Sequence, residues 1–330
     1  MELVSKKRLH LVSGRSNLPL AEAIAERLGE PLGDANIAEF ANGELHCRFG
    51  ESVRGTDVFI IQSHGTVPGM SVNDAIMEQL IMIDAAYRAS AKRVTAVCPF
   101  YGYARQDRKA AGREPITARV VADMFKAAGS KRMVSVDLHS GQIQGFFEGP
   151  VDHLTAMPVL EKYLRENARE GVVIVSPDTG RVKVAERFAQ HLADMSADVA
   201  FVYKRREKNS INVASAKEVI GDVEGRLCVL TDDMIDTAGT ITSAAELLMA
   251  RGAKEVWAMA THGVLSDPAI ERLQKSQISR VVLTNTIPLP KEKRIDRIEV
   301  LSVAKIIADA LAAVFEETSV SELFGGENLA

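Results

Sequence analysis

Val229-Leu230-Thr231-Asp232-Asp233-Met234-Ile235-Asp236-Thr237-Ala238-Gly239-Thr240 joins the apolar run Arg226 to Leu230 to an Ala/Leu-rich stretch, Thr242 to Arg251. The first reads as a buried strand and the last as a helix. Thr231 to Thr240 between them reads as a turn of acids, hydroxyls and glycine. Main-chain N–H groups from Thr237 to Thr240 would open that helix, where the positive end of its dipole favours an anion. Gly239 lets the backbone approach closely. Asp232, Asp233 and Asp236 lie just upstream, where carboxylates accept hydrogen bonds from vicinal hydroxyls or hold a hydrated cation. The plainer alternative is an acidic, solvated turn before a capped helix.

Outward from this unit the pattern repeats. Short β-branched or apolar runs occur at Leu9 to Val12, Val58 to Gln62, Val94 to Cys98, Met133 to Val136, Val172 to Val175, Val256 to Ala260 and Val281 to Leu283. Helical periodicity marks Leu20 to Leu28, Ser71 to Ser90, Thr117 to Ala128, Ala156 to Arg169, Val182 to Leu192 and Val303 to Phe315. Strands alternating with helices predict an α/β protein with mainly parallel sheets flanked by helices. A seam near Val151 to Pro158 divides the 330 residues into two similar domains, 1–153 and 154–330, with the extreme C-terminus free to pack back on the first.

Composition narrows the partners. Forty Lys and Arg against 44 Asp and Glu give a net charge of −4, so no global positive field draws nucleic acid or an anionic membrane. No apolar stretch is long enough to span a bilayer, and no secretory leader is evident. Cys47, Cys98 and Cys228 are few and scattered, which suits the cytoplasm.

Five further segments carry chemistry. Phe40 to Glu44 holds an Asn-Gly turn signal, and alone it reads as a hairpin turn with a core Phe. Tyr101 to Arg113 gathers Arg105, Arg108, Lys109 and Arg113 directly after a strand, where α/β sheets bind ligands; composition alone allows a solvated basic loop. His139 and Asp178 each follow a strand in matching places of the two halves and are expected to face one cleft. Lys204-Arg205-Arg206 leaves an apolar strand for a polar stretch, and by itself such a charge run is usually only a solvated loop.

Taken together, Phe40 to Glu44, Tyr101 to Lys109, Arg113 to Ala118, Val136 to His139, Ser176 to Gly180, Lys204 to Arg206, Thr231 to Thr240 and Thr284 to Pro288 resemble class I ribose-phosphate pyrophosphokinases, from about Leu11 to Leu311. The resemblance implies two domains of the type I phosphoribosyltransferase-like fold. It implies transfer of the pyrophosphoryl group of ATP to the C1 hydroxyl of ribose 5-phosphate, giving phosphoribosyl pyrophosphate and AMP. Asn42, Gly43, Glu44, Arg105 and Gln106 would then contact ATP. Asp232, Asp233, Asp236, Thr237, Ala238, Gly239 and Thr240, with Arg206, would hold ribose 5-phosphate. His139 and Asp178 would hold Mg²⁺ with the ATP phosphates, although imidazole is an unusual ligand for so hard a cation. Lys204 and Arg206 would be catalytic, on a loop closing over the reacting phosphates. A homo-oligomer, commonly a hexamer, with phosphate and ADP as effectors is also implied.

Two positions depart from the family pattern. Arg181 follows Asp178-Thr179-Gly180 where a second glycine is usual, and Asn42 stands where aspartate is frequent. Two other functions compete: a non-catalytic synthetase-associated subunit, against which the intact Lys204 to Arg206 and acidic segments argue, and a nucleobase phosphoribosyltransferase, which fits only the second half.

Overall fold

The computed structural model describes residues 8–205 and 216–324, with the backbone alone at 204, 205, 216 and 217. The chain forms two compact units. The first comprises Met1–Thr155, Thr286–Pro288 and Ser302–Ala330, and the second Ala156–Asn285 and Leu289–Leu301.

In chain order the first unit runs β1 (Leu9–Ser13), α1 (Leu18–Leu28), β2 (Ala35–Glu39), β3 (Leu45–Phe49), β4 (Asp57–Ile61), α2 (Val72–Arg88), β5 (Arg93–Cys98), α3 (Thr117–Ala128), β6 (Arg132–Val136) and β7 (Val151–Leu154). Its sheet is parallel throughout in the order β1-β4-β5-β6-β7, while β2 and β3 form a separate antiparallel pair. β4 is buried at all five positions, as a parallel strand covered on both faces must be. Ser71 and Asp74 close a capping box at the start of α2.

The second unit follows with α4 (Met157–Asn167), β8 (Val173–Ser176), α5 (Val182–His191), β9 (Asp198–Arg205), β10 (Ala216–Ile220), β11 (Leu227–Ile235), α6 (Gly239–Ala250), β12 (Glu255–Gly263), α7 (Ala269–Lys275), β13 (Ile278–Thr284) and β14 (Ile298–Leu301). The chain then returns to the first unit for α8 (Ala304–Glu316), which packs on α1. The second sheet has the order β10-β9-β8-β11-β12-β13-β14, parallel except for the β9–β10 hairpin. From β8 the chain moves to β9 on one side, and from β11 to β12 on the other. The reversal between β8 and β11 is a topological switch point, where open α/β sheets bind ligands beyond the carboxyl ends of their strands.

The α/β class and the alternation of strands and helices are as expected. One boundary is corrected. β11 does not stop at Leu230 but continues to Ile235, and α6 begins at Gly239 rather than Thr242. The reason is a long neighbour: β11 pairs with β12 through Ile235↔Gly263, so Asp232 and Asp233 are strand residues rather than turn residues. β2, β3, β7, β10, β14 and α7, all short, lie outside the expected elements. No described helix is long and apolar enough to cross a membrane.

Candidate active site

The structure gathers the acidic and phosphate-loop residues at the carboxyl end of β11. Strand alternation sends Asp233 inward, where its side chain is 3% exposed, while Asp232 is half-buried. Asp232 Oδ1 accepts the Asp233 backbone N–H at 2.8 Å. Asp236 is half-buried, Thr237 is exposed, and Ala238 is the N-cap of α6 with φ 61°, in the left-handed region. For a residue with a Cβ that conformation costs about 1 kcal/mol, a strain typical of ligand-binding turns. Thr242 Oγ1 donates back to the Ala238 carbonyl at 2.9 Å, steadying the first turn. Gly239 and Thr240 are the first residues of α6, where the N–H groups that open a helix have no partner within the helix.

Two arginines complete this unit, and neither was expected there. Arg181, at the N-cap of α5, brings its guanidinium 2.7 Å from Asp233 Oδ1 and 3.7 Å from Asp232 Oδ1. Arg272, on α7, donates to the Thr237 carbonyl at 2.9 Å, and a Cβ on Gly239 would sit 3.2 Å from its Nη1, a tight contact that the end of the arginine side chain would have to relax. A sequence signal existed for Arg181, a cation opening α5 just after the Asp178 loop. None existed for Arg272, which lies more than 30 residues away on a helix too short to announce itself.

Burial, reinforced by the neighbouring Asp233, pushes the Asp232 carboxyl up to about 8, with Arg181 pulling the other way. The folded protein therefore binds this proton more tightly than the unfolded chain, whose aspartates titrate near about 3.9. Below that lower value both forms are protonated and the contribution is fully present. It is lost as pH rises toward 8. Asp232→Asn is expected to flatten the fall in melting temperature between pH 5 and pH 8; identical profiles for the two proteins would contradict the shift.

At the end of β8, on the other side of the switch point, Asp178 Oδ1 accepts the Gly180 N–H at 2.8 Å and Ser176 Oγ donates to the Asp178 carbonyl at 2.6 Å. Asp178 is half-buried. Lys204 lies on β9, its backbone opposite Lys217 of β10. Its side chain, and Arg206 altogether, lie outside the described residues.

The first unit holds the remaining candidates. Asn42, Gly43 and Glu44 are exposed in the turn between β2 and β3, where Asn42 Oδ1 accepts the Glu44 N–H at 3.2 Å and Gly43 takes φ 87°. Phe40 is 55% exposed, so the core-Phe reading of this turn does not hold. Arg105 and Gln106 are exposed after β5, with Gln106 Oε1 accepting from Thr117 Oγ1 at 2.6 Å. This loop is anchored by His64, a residue the sequence did not single out. Its Nδ1 accepts the Gly102 N–H at 3.1 Å, leaving the Nε2 proton for Gln79 Oε1 at 2.7 Å. Complete burial lowers its pKa to about 4, so the ring stays neutral. His139 is half-buried just past β6. Among the described residues, no group of three or more His, Cys, Asp or Glu is placed to hold a metal ion.

An acidic strand end beside a helix N-terminus at a switch point is an arrangement, in an α/β protein, suited to an anionic, hydroxyl-bearing ligand. Comparison with known proteins is more specific. Residues 9–129 match the N-terminal domain of ribose phosphate pyrophosphokinase, and residues 203–325 match the phosphoribosyl synthetase-associated domain. The ribose-phosphate pyrophosphokinase of Bifidobacterium longum is 54% identical over 321 residues, 96% of this chain and 93% of that one. That of Caldanaerobacter subterraneus is 53% identical over 317 residues, 96% and 98% of the two chains. The crystal structure of phosphoribosylpyrophosphate synthetase from Mycobacterium smegmatis has 51% identity and a TM-score of 0.88, covering 94% of this chain and all of that one. The chain belongs to the ribose-phosphate pyrophosphokinase family.

Proposed function

We propose that this protein transfers the β,γ-pyrophosphoryl group of ATP to the C1 hydroxyl of ribose 5-phosphate, releasing AMP. The observation that carries the reading is the pairing, at one switch point, of a carboxylate-bearing strand end with the N-terminus of α6. In this reading the 5-phosphate takes the N–H groups from Thr237 to Thr240, and Asp232, Asp233 and Asp236 accept from ribose hydroxyls. Asn42, Gly43, Glu44, Arg105 and Gln106 contact ATP, and the neutral His64 holds the Arg105 loop in shape. The O1 hydroxyl attacks the β-phosphorus, and Lys204 and Arg206 offset charge on the transferring and departing phosphates.

Mg²⁺ belongs to the same proposal. Asp178 suits it: a half-exposed carboxylate supplies the oxygen donor that Mg²⁺ prefers, and this ion commonly takes one or two carboxylates plus substrate phosphates rather than an all-protein cage. His139 suits it less well as a direct ligand, because imidazole favours softer metals. When bound, the ion would neutralise phosphate charge. A homo-oligomer, by the family resemblance a hexamer, with phosphate and ADP as effectors, completes the proposal. A cytoplasmic location is supported by the three cysteines all being free, two of them buried.

Incubation with ATP, Mg²⁺ and ribose 5-phosphate should yield AMP and phosphoribosyl pyrophosphate in equal amounts. Folded protein that forms neither, with or without inorganic phosphate, would refute the reading. Repeating the assay with ADP present tests the inhibitory effector.

A further inference from the structure

We propose that Arg181 is a positioning residue for the sugar acceptor: from the N-cap of α5 it clamps Asp233 and Asp232 and fixes their carboxyl oxygens in place for the ribose hydroxyls. The inference rests on the reading that the Asp232 to Thr240 segment holds ribose 5-phosphate.

Three observations support it. The ion pair is close, 2.7 Å from the guanidinium to Asp233 Oδ1, and both side chains are largely withdrawn from water, 19% exposed for Arg181 and 3% for Asp233. The second carboxylate, Asp232, is within reach of the same guanidinium at 3.7 Å, so a single cation serves an adjacent pair of acids. The two partners also sit on either side of the switch point, Arg181 beyond the end of β8 and the acids at the end of β11. The clamp therefore joins the start of α5 to the end of β11, beyond Leu230↔Val175, the last pair of the β8–β11 ladder.

Two neighbouring carboxylates in a partly buried site resist double ionisation, and a shared proton would turn one acceptor into a donor. Sugar hydroxyls that must donate would then lose a partner. Arg181 opposes that protonation, pulling the Asp232 carboxyl down while burial and Asp233 push it up, the upward push prevailing in the unliganded site. A planar fork suits such duty better than a point charge.

Steady-state kinetics of the full-length protein test the assignment. Arg181→Gln and Arg181→Ala are expected to raise KM for ribose 5-phosphate by about tenfold or more, with kcat and KM for ATP changed by less than about threefold. Arg181→Lys keeps the charge without the fork and should recover a part of the loss, which a role in packing alone would not predict. A fall in kcat at unchanged ribose 5-phosphate KM, or a rise confined to KM for ATP, would overturn the proposal by placing Arg181 on the phosphates. Unchanged kinetics in all three variants would overturn it too.

Asp233→Ala, assayed in parallel, separates this failure from that of the underlying reading. If Asp233→Ala weakens ribose 5-phosphate while Arg181→Gln does not, only the clamp is wrong. If neither does, the acidic segment is not the sugar site. Should Arg181→Ala fail to fold, the Gln and Lys variants and direct calorimetric titration with ribose 5-phosphate still decide the matter.

Discussion

Replacing Lys204 by alanine is expected to lower kcat by about two to three orders of magnitude while changing KM for ribose 5-phosphate by no more than about threefold. In the proposed transfer, charge accumulates on the phosphoryl oxygens only as O1 attacks and AMP departs. A cation that meets that charge stabilises the transition state more than the bound substrates, so its loss appears in kcat. Preorganised donors of this kind are each worth about 3 kcal/mol. The acceptor, by contrast, is held in this reading by the β11 end and α6, which Lys204→Ala leaves intact. Arg in place of Lys204 keeps the charge and should restore part of the rate but not all of it, because a planar fork and a compact ammonium are not interchangeable. Single-turnover measurements with saturating ATP would check the split. Loss of ribose 5-phosphate affinity equal to the loss of rate would instead make Lys204 a ground-state binding group.

The second large effect concerns stability. Glu78 on α2 is 1% exposed, yet it carries a carboxylate: Oε2 accepts from Arg15 Nε at 2.6 Å, and Oε1 accepts from the Arg15 backbone N–H at 2.6 Å and from Gln62 Nε2 at 2.9 Å. Gln62 in turn accepts from Ser16 Oγ at 2.7 Å. Glu78→Ala removes one acceptor from three donors and leaves a void. Cutting one member out of a buried ion pair costs about 3 to 5 kcal/mol, and the 40% exposure of Arg15 places this case toward the lower end. At about 3 kcal/mol the melting midpoint of the first unit should fall by roughly 6 to 12 °C. Glu78→Gln retains the shape and one acceptor and should cost markedly less. Calorimetry that finds Glu78→Ala within 1 °C of the parent would show that water replaces the carboxylate at no penalty.

Much of the fold was legible because the strands of parallel sheets are short, apolar runs and the covering helices keep a clear period. α3 is found at its expected ends, Thr117 and Ala128, since its apolar face and the Gly129 that follows leave little choice. What escaped notice lacked a local signature. The last five residues of β11 include two aspartates, which disfavour strands. They are extended because β12 is there to pair with them, a fact located some 30 residues away. Likewise β14 is four residues long and gains its place from β13. The loop chemistry of the candidate site was visible in its acids, glycine and hydroxyls. Its counter-charge was visible only as a cation opening α5, because whether Arg181 faces solvent or Asp233 depends on the strand order, which composition does not encode.

Strand order also bears on how the polypeptide acquires its form during synthesis. The second unit is spelled out in the middle of the message for the first: α8 must arrive before α1 has its packing partner, and the Thr286 carbonyl must arrive before Ser63 Oγ can donate to it at 2.6 Å. As the chain is synthesised, the first unit therefore stays incomplete until the segment beginning at Ser302 emerges, while the second unit has all its residues by Leu301. Nonsense mutations near Ala304 should consequently damage the part of the protein made first and spare the part made later.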